Sequence, residues 1–313
     1  MYKIICTTPV KHLPGVFDEL KKYGSVEYCP SISKKNLIKK LREKNFDALF
    51  VNPNKQGYVI DENILNKTNI KIINTCSTGT NHIDINYCRK KGIKVYALTK
   101  DKSLIKELPS TSELAFGLMI SILRNITNSN ESVKKNKWDY FPYIGRQIKG
   151  LNICVVGYGR LGKIFCRQLN GFEANIYVVD PYVKKCNHKL INLNNAIKIA
   201  DVLVLHVHLN SETKKLINKI NIKNFKKNAV IVNTSRGEIV DEKELIRAIR
   251  NKNLGGYGTD VLSGELGDLK NNPVIKALKD NLPVVITPHI GGMTIEGQTK
   301  AFLFAAKKFA KFY

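Results

Sequence analysis

The sequence lacks several features that would place it in a specialised class of proteins. Its longest apolar run, residues 114–123, falls far short of the roughly 20 residues that a membrane-spanning helix needs. Residues 1–15 contain no apolar core of a signal peptide. The seven cysteines form no C-x-x-C pair and several lie inside apolar runs, so we interpret them as small buried hydrophobic residues. We therefore expect a reduced, cytoplasmic protein without a membrane partner.

Acidic residues are also scarce, since 26 Asp and Glu face 51 Lys and Arg, which gives a formal net charge of +25. A charge of this size could indicate binding to nucleic acid or to an anionic membrane. The lysines, however, are spread along the whole chain and accompany many Asn and Ile residues, which favours a composition bias. We expect no nucleic-acid partner, and we expect the charge to attract small anionic substrates and cofactors.

The chain has 313 residues, of which 43% are hydrophobic, and this size suits two domains. Short β-rich apolar runs alternate with longer amphipathic runs, which is typical of parallel sheets built from βαβ units. The candidate strands form two series, 3–6, 26–29, 48–51, 71–75 and 94–98, and then 152–156, 175–179, 202–207, 229–233, 256–261 and 284–287. Each series is enough for one doubly wound sheet, so the predicted fold class is α/β with two such domains.

The segment between the two series is predicted to contain a mostly buried helix. Apolar residues at Leu114, Leu118 and Ile122 have the spacing of a buried helix over 110–126, which Thr111 or Ser112 would begin. We expect this helix to bridge the domains. Residues 128–150 are polar and lack periodicity, so we interpret them as a helix end and a connecting loop, in which Trp138 and its aromatic neighbours serve packing or an interface.

A glycine-rich motif is the sharpest local signal. Gly157, Gly159 and Gly162 follow a predicted strand and precede a predicted helix. Glycines at this spacing let backbone amides approach a pyrophosphate at the positive end of a helix. Asp180 ends the next predicted strand, where its carboxylate can accept hydrogen bonds from a ribose and would repel a 2′-phosphate. The pattern predicts a dinucleotide site that prefers NAD to NADP.

Three polar residues follow later strands of the second series, namely Arg236, Glu265 and His289. Open α/β sheets place their ligands at the carboxyl ends of their strands. Reduction of a 2-oxo acid needs a bidentate cation for the carboxylate, which Arg236 could supply, and a proton donor for the carbonyl oxygen. His289 could be that donor, with Glu265 as the carboxylate that orients its ring. A purely structural ion pair is the alternative for Arg236.

The chain resembles the D-isomer-specific 2-hydroxyacid dehydrogenase family nearly end to end. The resemblance rests on ordered blocks of residues: 77–84, 110–113, 157–162 with 180–182, 205–207, 233–240, 260–261, Glu265 and 287–292. It implies that Arg236, Glu265 and His289 form the catalytic triad and that the amides of Thr78 and Gly79 bind the substrate carboxylate. It further implies NAD contacts by Gly157, Gly159, Arg160, Leu161, Gly162, Asp180, His206, Thr234, Ser235, Asp260, Gly291, Gly292 and Thr111.

The same resemblance implies an order of domains that spacing alone does not reveal. Residues 1–99, completed by 290–313, would form a flavodoxin-like substrate domain, and residues 100–289 would form the Rossmann NAD-binding domain. The active site would lie in a cleft between them that closes to exclude water. The family also implies a homodimer. Residues 294–313 would form the helix that returns to the substrate domain, called the return helix. Because the chain stops there, we do not expect a C-terminal regulatory domain.

Two departures from the family pattern concern the candidate site. Leu266 follows Glu265 where proline is usual, which could shift the loop that carries the glutamate. His208 stands where proline is usual and places His206 and His208 on one predicted strand face, but no third ligand is identifiable, so we predict no metal. Substrate choice would depend on a few side chains near residues 52–55, Thr78 and Thr111.

Two alternatives to a 2-hydroxyacid dehydrogenase remain open at this stage. The first is an NAD(H)-sensing corepressor-like protein that binds partners without significant turnover. The second is another oxidoreductase on the same scaffold, such as a formate or phosphite dehydrogenase, although a Glu–His pair fits formate dehydrogenase poorly. The predicted activity is hydride transfer between nicotinamide and C2 of a small D-2-hydroxy or 2-oxo acid.

Overall fold

The computed structural model describes residues 1–53, 57–106 and 108–312, which form two compact units. The first unit is Met1–Leu108 with Met293–Tyr313, and the second is Pro109–Gly292. The chain passes to the second unit after residue 108 and returns to the first after residue 292, whereas the predicted boundaries follow residues 99 and 289. Leu98 and Leu104 pack in the core of the first unit, and residue 291 is tied to Asp260 of the second. The assignment of the first unit to substrate binding stays a prediction.

The first unit contains a five-stranded parallel sheet in the order β2-β1-β3-β4-β5, which is the flavodoxin-like order. Its strands are β1 (Tyr2–Cys6), β2 (Gly24–Tyr28), β3 (Ala48–Val51), β4 (Ile72–Thr75) and β5 (Lys94–Tyr96). Its helices are α1 (Val16–Lys21), α2 (Lys34–Glu43), α3 (Glu62–Leu65), α4 (Ile85–Lys90), α5 (Lys102–Lys106) and the C-terminal α12 (Ile295–Lys307).

The two faces of this sheet are covered by separate apolar cores. Alternate residues of a strand point to opposite faces, so Ile4 packs with one core and Ile5 with the other. The helix α12 returns to the first core, where Phe302 is fully buried with Phe50. The predicted return helix therefore completes the first unit, as its residues supply one wall of that core.

The second unit contains a seven-stranded parallel sheet in the order β12-β11-β10-β9-β6-β7-β8. Its strands are β6 (Asn152–Val156), β7 (Asn175–Val179), β8 (Lys189–Leu190), β9 (Val202–Leu205), β10 (Ala229–Asn233), β11 (Leu254–Thr259) and β12 (Val284–Ile286). Its helices are α6 (Ser110–Leu123), α7 (Ile126–Lys134), α8 (Arg160–Leu169), α9 (Leu193–Ile199), α10 (Glu242–Arg250) and α11 (Pro273–Lys279).

The order of strands in the second sheet reverses between β6 and β9. From β6 the chain proceeds outward to β7 and β8, and from β9 it proceeds in the opposite direction to β12. Doubly wound sheets bind ligands outside the carboxyl ends of the strands at such a reversal. Both units thus have the predicted α/β class, and the second has the strand order of a dinucleotide-binding fold.

The helical connection ahead of β6 differs from its prediction. The helix α6 begins at Ser110 without a side-chain cap, so neither Thr111 nor Ser112 caps it as predicted. Its buried face includes Ala115, Leu118 and Ile122, whereas Leu114 is only partly buried. The chain turns at Asn125, whose φ is +52°, and a separate helix, α7, then extends into the segment predicted as a helix end and a connecting loop. Asparagine tolerates this left-handed conformation, which separates the two helices.

Strand ends also differ from the prediction near the histidines. The strand β9 ends at Leu205, so His206 and His208 lie beyond it. The prediction that the two histidines share one face of a strand is therefore wrong. Within the described residues no group of three His, Cys, Asp or Glu side chains could hold a metal ion. The edge strand β8 was not predicted because it has only two residues. Across the described helices, none is long and apolar enough to cross a membrane.

Candidate active site

The glycine-rich loop after β6 is shaped by its own backbone. Gly157 has a φ of +94°, and a Cβ there would lie 2.5 Å from the carbonyl oxygen of His206. A Cβ at Gly162 would lie 2.0 Å from the carbonyl oxygen of Gly157. A Cβ at Gly159 would meet nothing within 4 Å, and no side chain caps α8 there. The first and third glycines close the turn, and the second leaves the helix N-terminus open to a pyrophosphate.

Asp180 lies beside this loop at the end of β7. Its Oδ2 accepts a hydrogen bond from the Tyr158 amide at 2.8 Å, and its Oδ1 accepts one from the Tyr182 amide at 3.0 Å. The carboxylate is therefore fixed next to the glycine turn while its side chain stays partly exposed. This position fits recognition of ribose hydroxyls and disfavours a 2′-phosphate by like-charge repulsion.

The turn after β9 brings His206 against the glycine loop. Its amide donates to the carbonyl of Val156 at 2.8 Å, while both ring nitrogens are buried without a hydrogen-bond partner in the described chain. Burial, followed by the positive charge of Arg160, lowers the pKa of the His206 imidazole to about 3. His206 therefore stays neutral near pH 7 and does not serve as an acid.

The turn after β10 carries the next group of predicted cofactor residues. Ser235 donates from Oγ to the carbonyl of Leu205 at 2.9 Å, and its amide donates to Oδ1 of Asn233 at 3.0 Å. Thr234 is 6% exposed, and its Oγ1 is buried without a partner among the described residues. An orphaned hydroxyl at a strand end is a polar group that a ligand could satisfy. These contacts fit a dinucleotide that extends along the strand ends.

Glu265 and His289 form a direct pair. Nδ1 of His289 lies 2.8 Å from Oε1 of Glu265. A carboxylate only accepts hydrogen bonds, so this contact assigns the proton to Nδ1 and leaves Nε2 free to exchange a proton with a ligand. The side chain of His289 is 40% exposed and that of Glu265 is 19% exposed. The pair therefore has the geometry of an oriented acid–base group with access to solvent.

His289 is held in an unusual backbone conformation by Asp260. The φ of His289 is +56°, and its amide donates to the carbonyls of Asp260 and Thr287, each at 3.0 Å. The buried carboxylate of Asp260 accepts from Thr287 Oγ1 at 2.6 Å and from the amides of Ile290 and Gly291 at 2.8 and 2.7 Å. Burial raises the pKa of Asp260, and these hydrogen bonds oppose the increase.

The sequence did not identify this supporting role of Asp260 or its partner Thr287. Both lie in motif blocks, but a contact between residues 27 positions apart has no local signal. A Cβ at Gly291 would lie 3.0 Å from Oδ2 of Asp260 and 3.1 Å from Cγ2 of Thr111, so a larger residue would require these side chains to shift by a few tenths of an ångström. Gly292 has open space around its Cα. The predicted contacts of these residues with nicotinamide stay predictions.

Arg236 lies in the turn after β10, next to the loop that carries Glu265. A Cβ at Gly237 would lie 2.0 Å from the Ser263 nitrogen, so the backbones of the two turns touch. Nη1 of Arg236 donates to the carbonyl of Ser235 at 2.5 Å, and its guanidinium forms no ion pair with any acidic group in the described part of the chain. Arg236 therefore lacks the partner that a structural ion-pair role would need, which leaves its guanidinium available to an anion.

The departure at Leu266 coincides with a tight turn. The amide of Gly267 donates to the carbonyl of Gly264 at 2.9 Å, which places Leu266 at the third position of a β-turn. The replacement does not separate Glu265 from His289, since the two side chains are in hydrogen-bond contact.

Thr78 and Gly79 belong to the first unit, where they follow β4. Ser77 Oγ donates to the carbonyl of Gly79 at 2.6 Å, and Thr99 Oγ1 donates to the carbonyl of Thr78 at 2.6 Å. These bonds occupy carbonyl groups and fix the turn. The predicted role of the two amides in substrate binding stays a prediction. Of the predicted specificity segment 52–55, Asn54 and Lys55 lie outside the described residues.

Comparisons with known proteins identify the family of the chain. Residues 116–291 match the family described as D-isomer specific 2-hydroxyacid dehydrogenase, NAD binding domain. The chain is 31% identical to the D-3-phosphoglycerate dehydrogenase of Methanocaldococcus jannaschii, over 99% of this chain and 57% of that protein. It is also 31% identical to the hydroxypyruvate reductase of Thermotoga maritima, over 78% of each chain.

A solved structure shows the same similarity. The D-lactate dehydrogenase of Aquifex aeolicus, complexed with NAD and lactic acid, is 26% identical over 99% of this chain and 95% of that one, with a TM-score of 0.78. The chain spans about half the length of the D-3-phosphoglycerate dehydrogenases that it matches. The chain belongs to the D-isomer specific 2-hydroxyacid dehydrogenase family, and residues 116–291 correspond to the NAD-binding domain of that family.

Proposed function

We propose that the protein is an NAD-dependent dehydrogenase that transfers a hydride between nicotinamide and C2 of a small D-2-hydroxy or 2-oxo acid. The observation that carries the proposal is the 2.8 Å contact between His289 and Glu265 on a sheet whose glycine loop fits a dinucleotide. The names of the related dehydrogenases and reductases support the same chemistry. The net charge of +25 favours an anionic substrate.

The proposed cofactor site follows the carboxyl ends of the second sheet. The open helix terminus at Gly159 would hold the pyrophosphate, Asp180 the adenosine ribose, and the turns at Thr234 and Gly291 the nicotinamide half. When bound, NAD supplies or accepts the hydride. The chain's own residues would bind and orient the substrate and move one proton.

In the proposed reduction, Arg236 binds the substrate carboxylate through two parallel hydrogen bonds. His289 in its protonated form donates a proton from Nε2 to the carbonyl oxygen as C2 becomes tetrahedral. Glu265 accepts the Nδ1 hydrogen bond, which holds the ring and stabilises the charged imidazole. In the reverse direction neutral Nε2 removes the hydroxyl proton. The amides of Thr78 and Gly79 are proposed as further donors to the carboxylate.

We also propose a homodimer. Trp138 is 91% exposed, and Tyr140, Phe141 and Ile144 are each more than two-thirds exposed in the same segment. Large apolar side chains rarely cluster on the surface without a partner. A second copy of the chain is the partner that family resemblance favours. A cytoplasmic location stays a prediction.

The first test is oxidation of NADH by the purified protein with a panel of 2-oxo acids: glyoxylate, hydroxypyruvate, pyruvate, 2-oxoglutarate and 3-phosphohydroxypyruvate. We expect turnover with at least one member. His289→Ala should lower kcat/KM by about 100- to 10,000-fold, because it removes the proton donor. His12→Ala is a matched control, since His12 is exposed in the first unit.

NADH binding should be measured in the same variants by fluorescence titration. We expect His289→Ala to keep the wild-type Kd, because its imidazole is assigned to the substrate. Turnover that survives in His289→Ala would contradict the mechanism. Tight NADH binding without turnover on any acid would instead favour the NAD(H)-sensing function.

A further inference from the structure

A buried carboxylate of α10 holds the loop that leads to Glu265 and the cap of α11. Glu242 is the first residue of α10, and it is 5% exposed. Its Oε1 accepts a hydrogen bond from the Ser263 amide at 2.8 Å, and its Oε2 accepts one from Nδ2 of Asn272 at 2.9 Å. Asn272 in turn caps α11 through its Oδ1. Both oxygens of Glu242 are thus committed to holding other segments.

The Gly267 amide closes the turn of the loop at 2.9 Å from the Gly264 carbonyl, whereas the other side-chain contacts of the loop are long. Nδ2 of Asn272 lies 3.4 Å from the Ser263 carbonyl. Gly264 has a φ of +70°, and its amide contacts Oε1 of Glu238 at 3.4 Å. The amide of Leu262 contacts Oε2 of Glu265 at 3.5 Å. Hydrogen bonds of this length are weak. The shortest side-chain bond to the loop backbone in the described chain is therefore the one from Ser263 to Glu242, two residues before Glu265.

The buried carboxylate of Glu242 contributes little to the stability of the fold. Burial raises the pKa of Glu242, and the neighbouring carboxylates of Glu238 and Glu265 raise it further, against the two hydrogen bonds. A buried carboxylate near like charges contributes less to stability than a neutral group of similar shape. Such a residue is expected where a defined position matters more than stability.

We propose that Glu242 is a positioning residue that fixes the loop of Glu265 so that its carboxylate meets Nδ1 of His289. This inference rests on the proposed function of the Glu265–His289 pair. Glu242 acts through Ser263 and does not touch substrate or cofactor. It therefore affects the proton transfer and leaves both binding steps nearly unchanged.

The test is Glu242→Gln. The amide group of the new side chain can accept only one of the two hydrogen bonds, and its NH2 then faces the other donor, which displaces the loop. We expect kcat to fall about tenfold, with the KM for the acid and the Kd for NADH within about twofold of wild type. Glu244→Gln is the matched control, because Glu244 lies in the same turn of α10 and contacts Arg247 instead.

A second variant adds Asn272→Ser to Glu242→Gln. Serine keeps the cap of α11 but removes the Nδ2 donor, so the amide oxygen of the new side chain at position 242 can again accept from Ser263. We expect this double variant to recover most of the lost kcat. A kcat that stays low in the double variant would overturn the proposal. So would a fall of kcat in Glu244→Gln equal to that in Glu242→Gln. Normal kcat in Glu242→Gln would also overturn it.

A spectroscopic measurement separates this proposal from the proposed function. The NMR signals of the His289 ring should move in Glu242→Gln toward their positions in Glu265→Gln, and should not move in Glu244→Gln. This comparison needs no substrate. If the wild-type protein turns over no acid but the ring signals respond as expected, the proposed function fails and the positioning role stands. Unchanged ring signals would contradict the positioning role whatever the activity.

Discussion

The glycine loop and the acid–base corner, which comprises Arg236, Glu265 and His289, are built in different ways. The glycine motif occupies six consecutive residues, and its shape depends mainly on close approaches of backbone atoms, including the His206 carbonyl beside Gly157. The acid–base corner comes from three separate strand ends, and buried carboxylates hold its segments together. A local backbone motif can be recognised from sequence, whereas supports between distant segments appear only in the fold.

The same difference predicts how substitutions act. Changes at Gly157 or Gly162 disturb the backbone itself, because a Cβ overlaps a carbonyl oxygen. Changes in the acid–base corner remove one side chain, while Asp260 continues to hold the backbone around His289 and Glu242 that of the Glu265 loop. The first region should therefore control cofactor affinity, and the second should control substrate binding and the chemical step. Substitutions at Arg236 and Gly159 test this separation, and a substitution at His206 tests how the turn beneath the glycine loop contributes to stability.

The largest expected effect is that of Arg236→Ala on the substrate. If Arg236 binds the carboxylate through two charge-assisted bonds, its loss should raise the KM for the acid on the order of 100-fold or more, about 3 kcal/mol. The Kd for NADH should stay within about twofold. Steady-state kinetics and NADH titration measure the two quantities.

Two further variants sharpen this result. Arg236→Lys keeps the charge but not the planar fork, so it should recover only part of the loss. Arg247→Ala is the control, because Arg247 is an exposed residue of α10. An unchanged KM in Arg236→Ala would show that another group holds the carboxylate.

An intermediate effect concerns stability in acid, through His206 beneath the glycine loop. The imidazole has a pKa of about 3 in the fold against 6.5 when exposed, so the unfolded chain binds more protons between these values. The contribution of neutral His206 is therefore complete above pH 6.5 and is lost as the pH falls. Between pH 7 and pH 5 it should decrease by about 2 kcal/mol.

His206→Leu removes this titration from the same position. Urea unfolding of both proteins at several pH values should show that wild type loses about 2 kcal/mol more than the variant between pH 7 and pH 5. Parallel curves would mean that His206 does not become buried and neutral on folding. The comparison isolates His206, because the other titratable groups are common to both proteins.

The fold class and the pairing of Glu265 with His289 could be predicted because both leave local signals, while the catalytic role of the pair stays a prediction. Apolar alternation indicated the strands, and Glu265 and His289 each follow a strand within a short motif. The sequence did not predict the support of Ser263 by Glu242 or of Gly291 by Asp260, since each joins residues more than 20 positions apart. The predicted cap of α6 was also wrong, since neither Thr111 nor Ser112 caps the helix, which begins at Ser110.

The smallest expected effect separates the cofactor role of the loop from its fold. Gly159 has a φ of −71°, which alanine adopts readily, and its Cβ would enter open space. Gly159→Ala should therefore keep the wild-type melting temperature. The added methyl would lie where a pyrophosphate approaches the α8 amides, so the Kd for NADH should rise about tenfold, or about 1.4 kcal/mol. Gly171→Ala, also in open space but away from this terminus, should change neither quantity. Equal Kd values for NADH in Gly159→Ala and Gly171→Ala would mean that the dinucleotide does not approach the helix at Gly159.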